Sequence, residues 1–210
     1  SYLYYNQLIQ LINESVDIDL QKVVEAIENM VHTDVVKLID DGKEICLTYY
    51  FKLEQQISQQ LKRLMISESN IKIPENWREI ISELEDEQGW KHTDEQLNGI
   101  EQTLFNNVVV ITGQAGTGKS TVTNAMCRIL NDYKIDMTCL SAKAAQRIAE
   151  VTARDSSTIH RLLGIGNFKQ KKNTFDKLLS DIIIVDEASM VNGELFLMLL
   201  KSLRDGTKLI

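Results

Sequence analysis

The run Val108-Val109-Val110-Ile111-Thr112-Gly113-Gln114-Ala115-Gly116-Thr117-Gly118-Lys119-Ser120-Thr121 constrains what this chain can fold into more than any other segment. It reads as an apolar, β-branched strand, a loop that satisfies G-x-x-x-x-G-K-[ST], and a helix-compatible stretch over 122–130. Gly113, Gly116 and Gly118 let the backbone curl until successive N–H groups face one anion, and the following helix adds its positive end. The ligand this pattern implies is a nucleoside triphosphate with its metal. Gly113, Gln114, Ala115, Gly116, Thr117, Gly118, Lys119, Ser120 and Thr121 would form the cradle. Lys119 would reach the β- and γ-phosphates as a point charge, and the Ser120 hydroxyl would ligate Mg2+.

A second constellation is Asp181-Ile182-Ile183-Ile184-Val185-Asp186-Glu187-Ala188-Ser189. Four consecutive β-branched aliphatics describe a central strand of a parallel sheet covered on both faces. The carboxylates then fall at its C-terminal end, where ligands bind in open α/β folds. An acidic pair there also suits the first turn of a helix, and residues 188–203 have a helical pattern. Some 70 residues after a phosphate-binding loop, the pair reads as the other half of one ATPase site. Asp186 would hold magnesium through water, and Glu187 is the candidate general base for the attacking water.

The rest of the chain limits the alternatives. With 210 residues and 43% apolar composition it has room for one large or two small domains. Pro74 is the single proline, which argues against long disordered linkers. No run of about 18 apolar residues and no signal-peptide pattern is present, so neither a membrane span nor export is expected and the cytoplasm is the default location. Cys46, Cys127 and Cys139 are too scattered for a disulfide framework or a zinc site and read as reduced core thiols. The net charge of −7 is uneven: residues 1–106 carry 9 basic and 20 acidic side chains, residues 107–210 carry 14 and 10. Two halves of opposite charge suggest different partners.

Along the chain, the periodicity predicts helices over 2–12 and 19–32, then two β-rich runs over 34–39 and 44–49 joined at Asp40-Asp41-Gly42-Lys43, a strong hairpin signal. A helix over 50–65 completes a small winged-helix-like module. Such modules often bind nucleic acid, but this one is acidic and has no basic helical face, so a packing or protein-contact role is equally open. Residues 67–74 mark the boundary, giving an N-terminal module over 1–70 and a P-loop domain over 71–210. Helices over 75–87 and 94–105 lead to a strand over 108–112. There follow a helix over 119–130, a strand over 134–140, helices over 143–151 and 158–163, a basic stretch with Lys169, Lys171 and Lys172, a strand over 181–185 and a helix over 188–203. This alternation means an α/β fold with a parallel sheet covered by helices.

Within that frame, Ser156-Ser157-Thr158-Ile159-His160-Arg161-Leu162-Leu163-Gly164 resembles the S-T-I-H-R-L-L-G element of RecD-like DNA helicases, the 5′-to-3′ branch of superfamily one. Leu140-Ser141-Ala142-Lys143-Ala144-Ala145-Gln146-Arg147-Ile148 is similar to that family's motif Ia, and Asp186-Glu187-Ala188-Ser189 to its Walker B element. Gln96 resembles the family's adenine-contacting glutamine. The resemblance spans about residues 94–210. Family members commonly read A-P-T-G before the K/R-A-A segment, whereas here Ala142 is followed directly by Lys143.

The resemblance implies a RecA-like first motor domain that uses ATP and Mg2+, with Lys119, Asp186 and Glu187 in the chemistry and Gln96 at the base. Ser141, Lys143, Thr158 and His160 would lie on the single-stranded DNA path. It further implies that the chain is a fragment of a longer helicase, whose second motor domain supplies arginine fingers; the charge of the acidic N-terminal module, read by itself, leaves protein partners open to it. A nucleotide-dependent switch or loader ATPase that grips a partner without unwinding is the alternative.

Overall fold

The computed structural model describes residues 2–114, 116–152, 154–165 and 177–210. The chain divides into two compact units, Ser1–Ser58 and Gln59–Ile210. The division falls inside a long helix, and residues 67–74 just beyond that helix carry neither helix nor strand.

In the first unit, β1 (Leu3–Tyr4), β2 (Val36–Ile39) and β3 (Glu44–Leu47) form an antiparallel sheet in the order β1-β3-β2. Two helices, α1 (Tyr5–Ser15) and α2 (Leu20–His32), accompany it, and α3 (Thr48–Ile66) begins in this unit. The helix expected over 2–12 thus starts later, because Leu3 and Tyr4 pair with Ile45 and Glu44. Aromatic and apolar residues fit an edge strand as well as a helix start, and the available edge of β3 decides between them. The hairpin forms as expected: Asp40, Asp41 and Gly42 all take positive φ, conformations that Asp and Gly tolerate best. Val23, Ile27, Val36 and Ile45 make the unit's core, with Leu8, Ile9 and Ile12 packed on it.

The second unit is the α/β domain. Helices α4 (Trp77–Gln88) and α5 (Asp94–Phe105) precede α6 (Lys119–Ile129), which follows the glycine-rich loop. Then come β4 (Ile135–Cys139), α7 (Ala142–Thr152), β5 (Ser156–Thr158), α8 (Ile159–Leu162), β6 (Ile182–Val185), α9 (Gly193–Ser202) and β7 (Lys208–Leu209). The sheet is wholly parallel, in the order β5-β4-β6-β7. As its β-branched run foretells, β6 is central, with Ile182, Ile183 and Ile184 all buried. Met137, Cys139, Ile182 and Ile184 join Ile100, Leu104, Val122 and Met126 in one continuous core.

Two expected elements differ. The strand before the loop reduces to a single bridge, Val108 to Leu209, with the Val109 N–H donating to the Leu209 carbonyl at 2.9 Å. Beyond that bridge Val110–Thr112 pair with no described strand, and Val110 is 81% exposed. The helix expected over 188–203 breaks in two, a 3-10 turn at Ala188–Met190 and then α9. Val191 is extended, and Asn192 restarts the helix by accepting from the Leu195 N–H at 2.8 Å. The strand β5, absent from the sequence reading, forms because the Ser156–Thr158 backbone completes the edge of β4 in spite of its weak β-propensity. Lys169, Lys171 and Lys172 lie outside the described residues.

Candidate functional site

A parallel sheet aligns all its strand C-termini along one edge, so the residues that follow those strands share that edge. Ser141 follows β4, Thr158 ends β5, and Asp186 and Glu187 follow β6. The Val108 bridge places the segment that leads into the glycine-rich loop beside β7, whose other neighbour is β6. One strand therefore separates the loop from the acidic pair.

The loop turns through Gly116 and Gly118, at φ of 83° and 87°, a region costly to residues with a Cβ. At Gly113 the constraint is space, since a Cβ there would come within 2.6 Å of Thr117 Oγ1. Lys119 Nζ donates to the carbonyls of Gly113 at 2.7 Å and Gln114 at 2.8 Å, so its charge is folded over the loop. Thr117 Oγ1 donates to the Gln114 carbonyl at 2.9 Å. Gly118 is the N-cap of α6 and supplies no side-chain cap, which leaves first-turn N–H groups for an anion. Glycine curvature, an uncapped helix start and a lysine reaching across it fit a polyphosphate. Ser120 is exposed in that first turn, and Thr121 is half-buried, its N–H bonded to the Gly118 carbonyl at 3.0 Å. Ala115 lies outside the described residues.

At the acidic pair, the Asp186 N–H donates to the Thr138 carbonyl at 2.9 Å, extending β6 against β4 by one residue. Glu187 then turns into the left-handed region, φ 53° and ψ 39°, with its N–H bonded to Asp186 Oδ1 at 2.9 Å. Both side chains are exposed. Burial raises the Cys139 thiol above its ordinary range, the Ser141 backbone opposes this, and the Asp186 and Glu187 carboxylates add to it, which places the end of β4 in their field. Cys46, Cys127 and Cys139 are all buried and free, as the sequence led us to expect.

Gln96 is more tightly engaged than its sequence context suggests. Thr93 and Gln96 form a capping box: the Thr93 N–H donates to Gln96 Oε1 at 3.0 Å, and the Gln96 N–H to Thr93 Oγ1 at 3.2 Å. With its oxygen so committed, Gln96 Nε2 donates to the Thr117 carbonyl at 3.3 Å, inside the loop. A Cβ on Gly118 would overlap that same Nε2, so this glycine also admits the Gln96 amide. The T-x-x-Q spacing carried the signal for the box.

The remaining candidates act locally as caps or surface groups. Ser141 Oγ accepts from the Ala144 N–H at 3.1 Å, so the shortened motif Ia passes from β4 into α7 with Ser141 as its cap. Lys143 is exposed on the first turn of α7. Thr158 Oγ1 accepts from the Arg161 N–H at 3.2 Å and caps α8, and His160 is exposed on that helix. Sequence reasoning missed Lys208, only 1% exposed, whose Nζ donates to the Leu104 carbonyl at 3.1 Å and to that of Asn106.

Comparison with known proteins agrees with this geometry. The AAA domain family model matches residues 96–210, from Gln96 through the loop and the acidic pair to β7. The chain is 37% identical over 120 residues to the ATP-dependent RecD2 DNA helicase of Deinococcus radiodurans, a match covering 56% of this chain and 17% of that protein. It is 28% identical over 204 residues to the RecBCD enzyme subunit RecD of Mycobacterium tuberculosis, covering 84% of this chain and 33% of that subunit. The ATP-dependent DNA helicase PIF1 of Trypanosoma brucei brucei is 33% identical over 109 residues, covering 49% and 11%. The chain thus spans from about a tenth to a third of the length of these relatives. Since the family model covers more than half of the chain and the sheet, loop and acidic pair stand where a P-loop fold requires them, the chain belongs to the AAA domain family and is RecD-like within it.

Proposed function

We propose that this chain is the first motor domain, with an N-terminal module over about 1–70, of a larger ATP-dependent DNA helicase. The observation that carries the reading is the shared edge of the parallel sheet, where a glycine cradle with Lys119 stands one strand away from Asp186 and Glu187. Residues 113–121 bind the ATP phosphates, Ser120 and Asp186 hold Mg2+, and Gln96 reads the base beside the loop. Magnesium supplies charge neutralisation to the phosphoryl group. Glu187 accepts the proton of the attacking water. Asp186, whose Oδ1 accepts from the Glu187 N–H, fixes the turn that presents that carboxylate.

Ser141, Lys143, Thr158 and His160 follow neighbouring strands on the same edge, and we assign single-stranded DNA to them. The RecD2 and RecD similarity supports this path. The acidic N-terminal module contacts protein partners. Among the described residues, no helix is long and apolar enough to cross a membrane, and we place the protein in the cytoplasm.

The test is phosphate release by the complete protein that carries this chain, with and without a single-stranded oligonucleotide. Stimulation by the oligonucleotide, lost in Glu187→Gln, is the expected result. ATP hydrolysis indifferent to DNA would contradict the helicase reading and favour a switch.

A further inference from the structure

The loop that joins α4 to α5 carries a buried carboxylate–imidazole hydrogen bond outside the phosphate cradle. After α4 closes at Gly89, in the left-handed conformation, the chain doubles back so that Glu85 Oε1 accepts twice from one residue. The His92 backbone N–H and its Nδ1 both lie 2.9 Å from that oxygen. The His92 side chain is fully buried and that of Glu85 only 15% exposed. Because the ionised carboxylate can only accept, Nδ1 carries the proton, and Nε2 is buried with no partner among the described residues. A buried imidazole nitrogen left unpaired costs stability, so burial energetics alone would favour an apolar residue here.

What that cost secures lies one residue on. Thr93, which follows His92, is the N-cap of α5 and one partner of the capping box. Gln96 is the other, and it donates to the Thr117 carbonyl while packing on Gly118. A continuous series of contacts thus runs from Glu85 through His92, Thr93 and Gln96 to the backbone of the phosphate loop.

We propose that Glu85 and His92 are positioning residues for the nucleotide site: they fix the first turn of α5 and thereby hold the Gln96 amide against Thr117 and Gly118. The proposal rests on the nucleotide-binding reading above. The pair touches no phosphate and acts only through Gln96. Its loss therefore weakens nucleotide binding without changing the groups that do the chemistry.

The test is titration of this chain with Mg·ADP, in a double-mutant cycle with thermal melts of every variant. His92→Phe keeps the ring and removes the Nδ1 donor. It should weaken ADP binding about tenfold, the scale of one lost hydrogen bond to a charged group. His92→Asn, which can present an amide N–H near the Nδ1 position, should recover most of that loss. In a Gln96→Ala background, His92→Phe should have no further effect, which a merely structural role would not produce. If His92→Phe does not melt cooperatively, Glu85→Gln, which keeps the shape and still accepts the backbone N–H, decides by the same cycle. Wild-type affinity in the folded variants, or an equal loss with and without Gln96, would overturn the proposal alone. Failure of the unaltered chain to bind Mg·ADP would overturn the nucleotide reading with it.

Discussion

Glu187 is a non-glycine residue held at φ 53°, two residues after β6, whose Ile182, Ile183 and Ile184 are buried. That conformation costs about 1–2 kcal/mol for a side chain with a Cβ, and residues held so tend to cluster at functional sites. Glu187→Gly should therefore raise the unfolding free energy by up to about 1 kcal/mol, read from denaturant melts, because glycine adopts this region freely. In the complete protein the same substitution should abolish hydrolysis. Glu187→Gln keeps the turn and lowers turnover by roughly 10²-fold or more while nucleotide binding persists. A Glu187→Gly variant no more stable than its parent would mean that the turn is not strained.

Legibility in the sequence varied with how local each signal was. The placement of the phosphate loop before α6 and of the carboxylates after β6 was readable because both follow from short patterns, GxxxxGK[ST] and a β-branched run ending in Asp-Glu. The positive φ of Glu187 was not, since nothing in Asp-Glu-Ala-Ser forbids a continuous helix, and the break at Val191 became visible only in the fold. The His92–Glu85 contact depends on a tertiary return of the chain after Gly89, for which no spacing rule exists.

Among the elements, β7 shows how one buried charge couples neighbours. Lys208 is almost wholly buried, and burial lowers its pKa from the usual lysine range to about 8. Its ammonium meets the carbonyls of Leu104 and Asn106, at the C-terminal end of α5 where helix carbonyls have no intrahelical partner. The unfolded chain binds this proton more tightly than the folded one, so stability rises with pH through the interval from about 8 to 10.5. Below pH 8 the full penalty is present, on the order of 3 kcal/mol at 1.36 kcal/mol per pKa unit. Lys208→Met removes the titrating group, so the stability of the parent relative to this variant should climb across that interval. A difference independent of pH would show that Lys208 keeps an ordinary pKa in the fold.

The start of α9 gives a simpler case. Asn192 caps it by accepting from the Leu195 N–H, and without the cap the helix has no defined restart after Val191. Asn192→Ala should cost about 1 kcal/mol in denaturant unfolding, within the usual range of a lost N-cap. An unchanged midpoint would mean that packing of the buried Leu195, Leu199 and Leu200 alone sets where the helix begins.

At the scale of the whole chain, the charge asymmetry between residues 1–106 and 107–210 does not follow the fold, whose units divide at Ser58, so the acidic half extends through α4 and α5 into the second unit. The acidic first half includes a small antiparallel unit built on Val23, Ile27, Val36 and Ile45. The basic second half supplies the parallel sheet and, Gln96 excepted, the residues assigned to nucleotide and DNA. Three groups of proposed site residues follow strands of a single sheet: the loop near β7, the acidic pair after β6, and the Ser141 and Thr158 caps after β4 and β5.

The central claim is that the cradle around Lys119 binds a nucleotide through its phosphates. It is tested most directly by isothermal titration of this chain with Mg·ADP, beside Lys119→Ala. The account predicts saturable one-to-one binding for the parent and a loss of at least about tenfold for the variant, because a phosphate-facing positive charge is gone. Equal affinities in the two proteins would contradict the assignment.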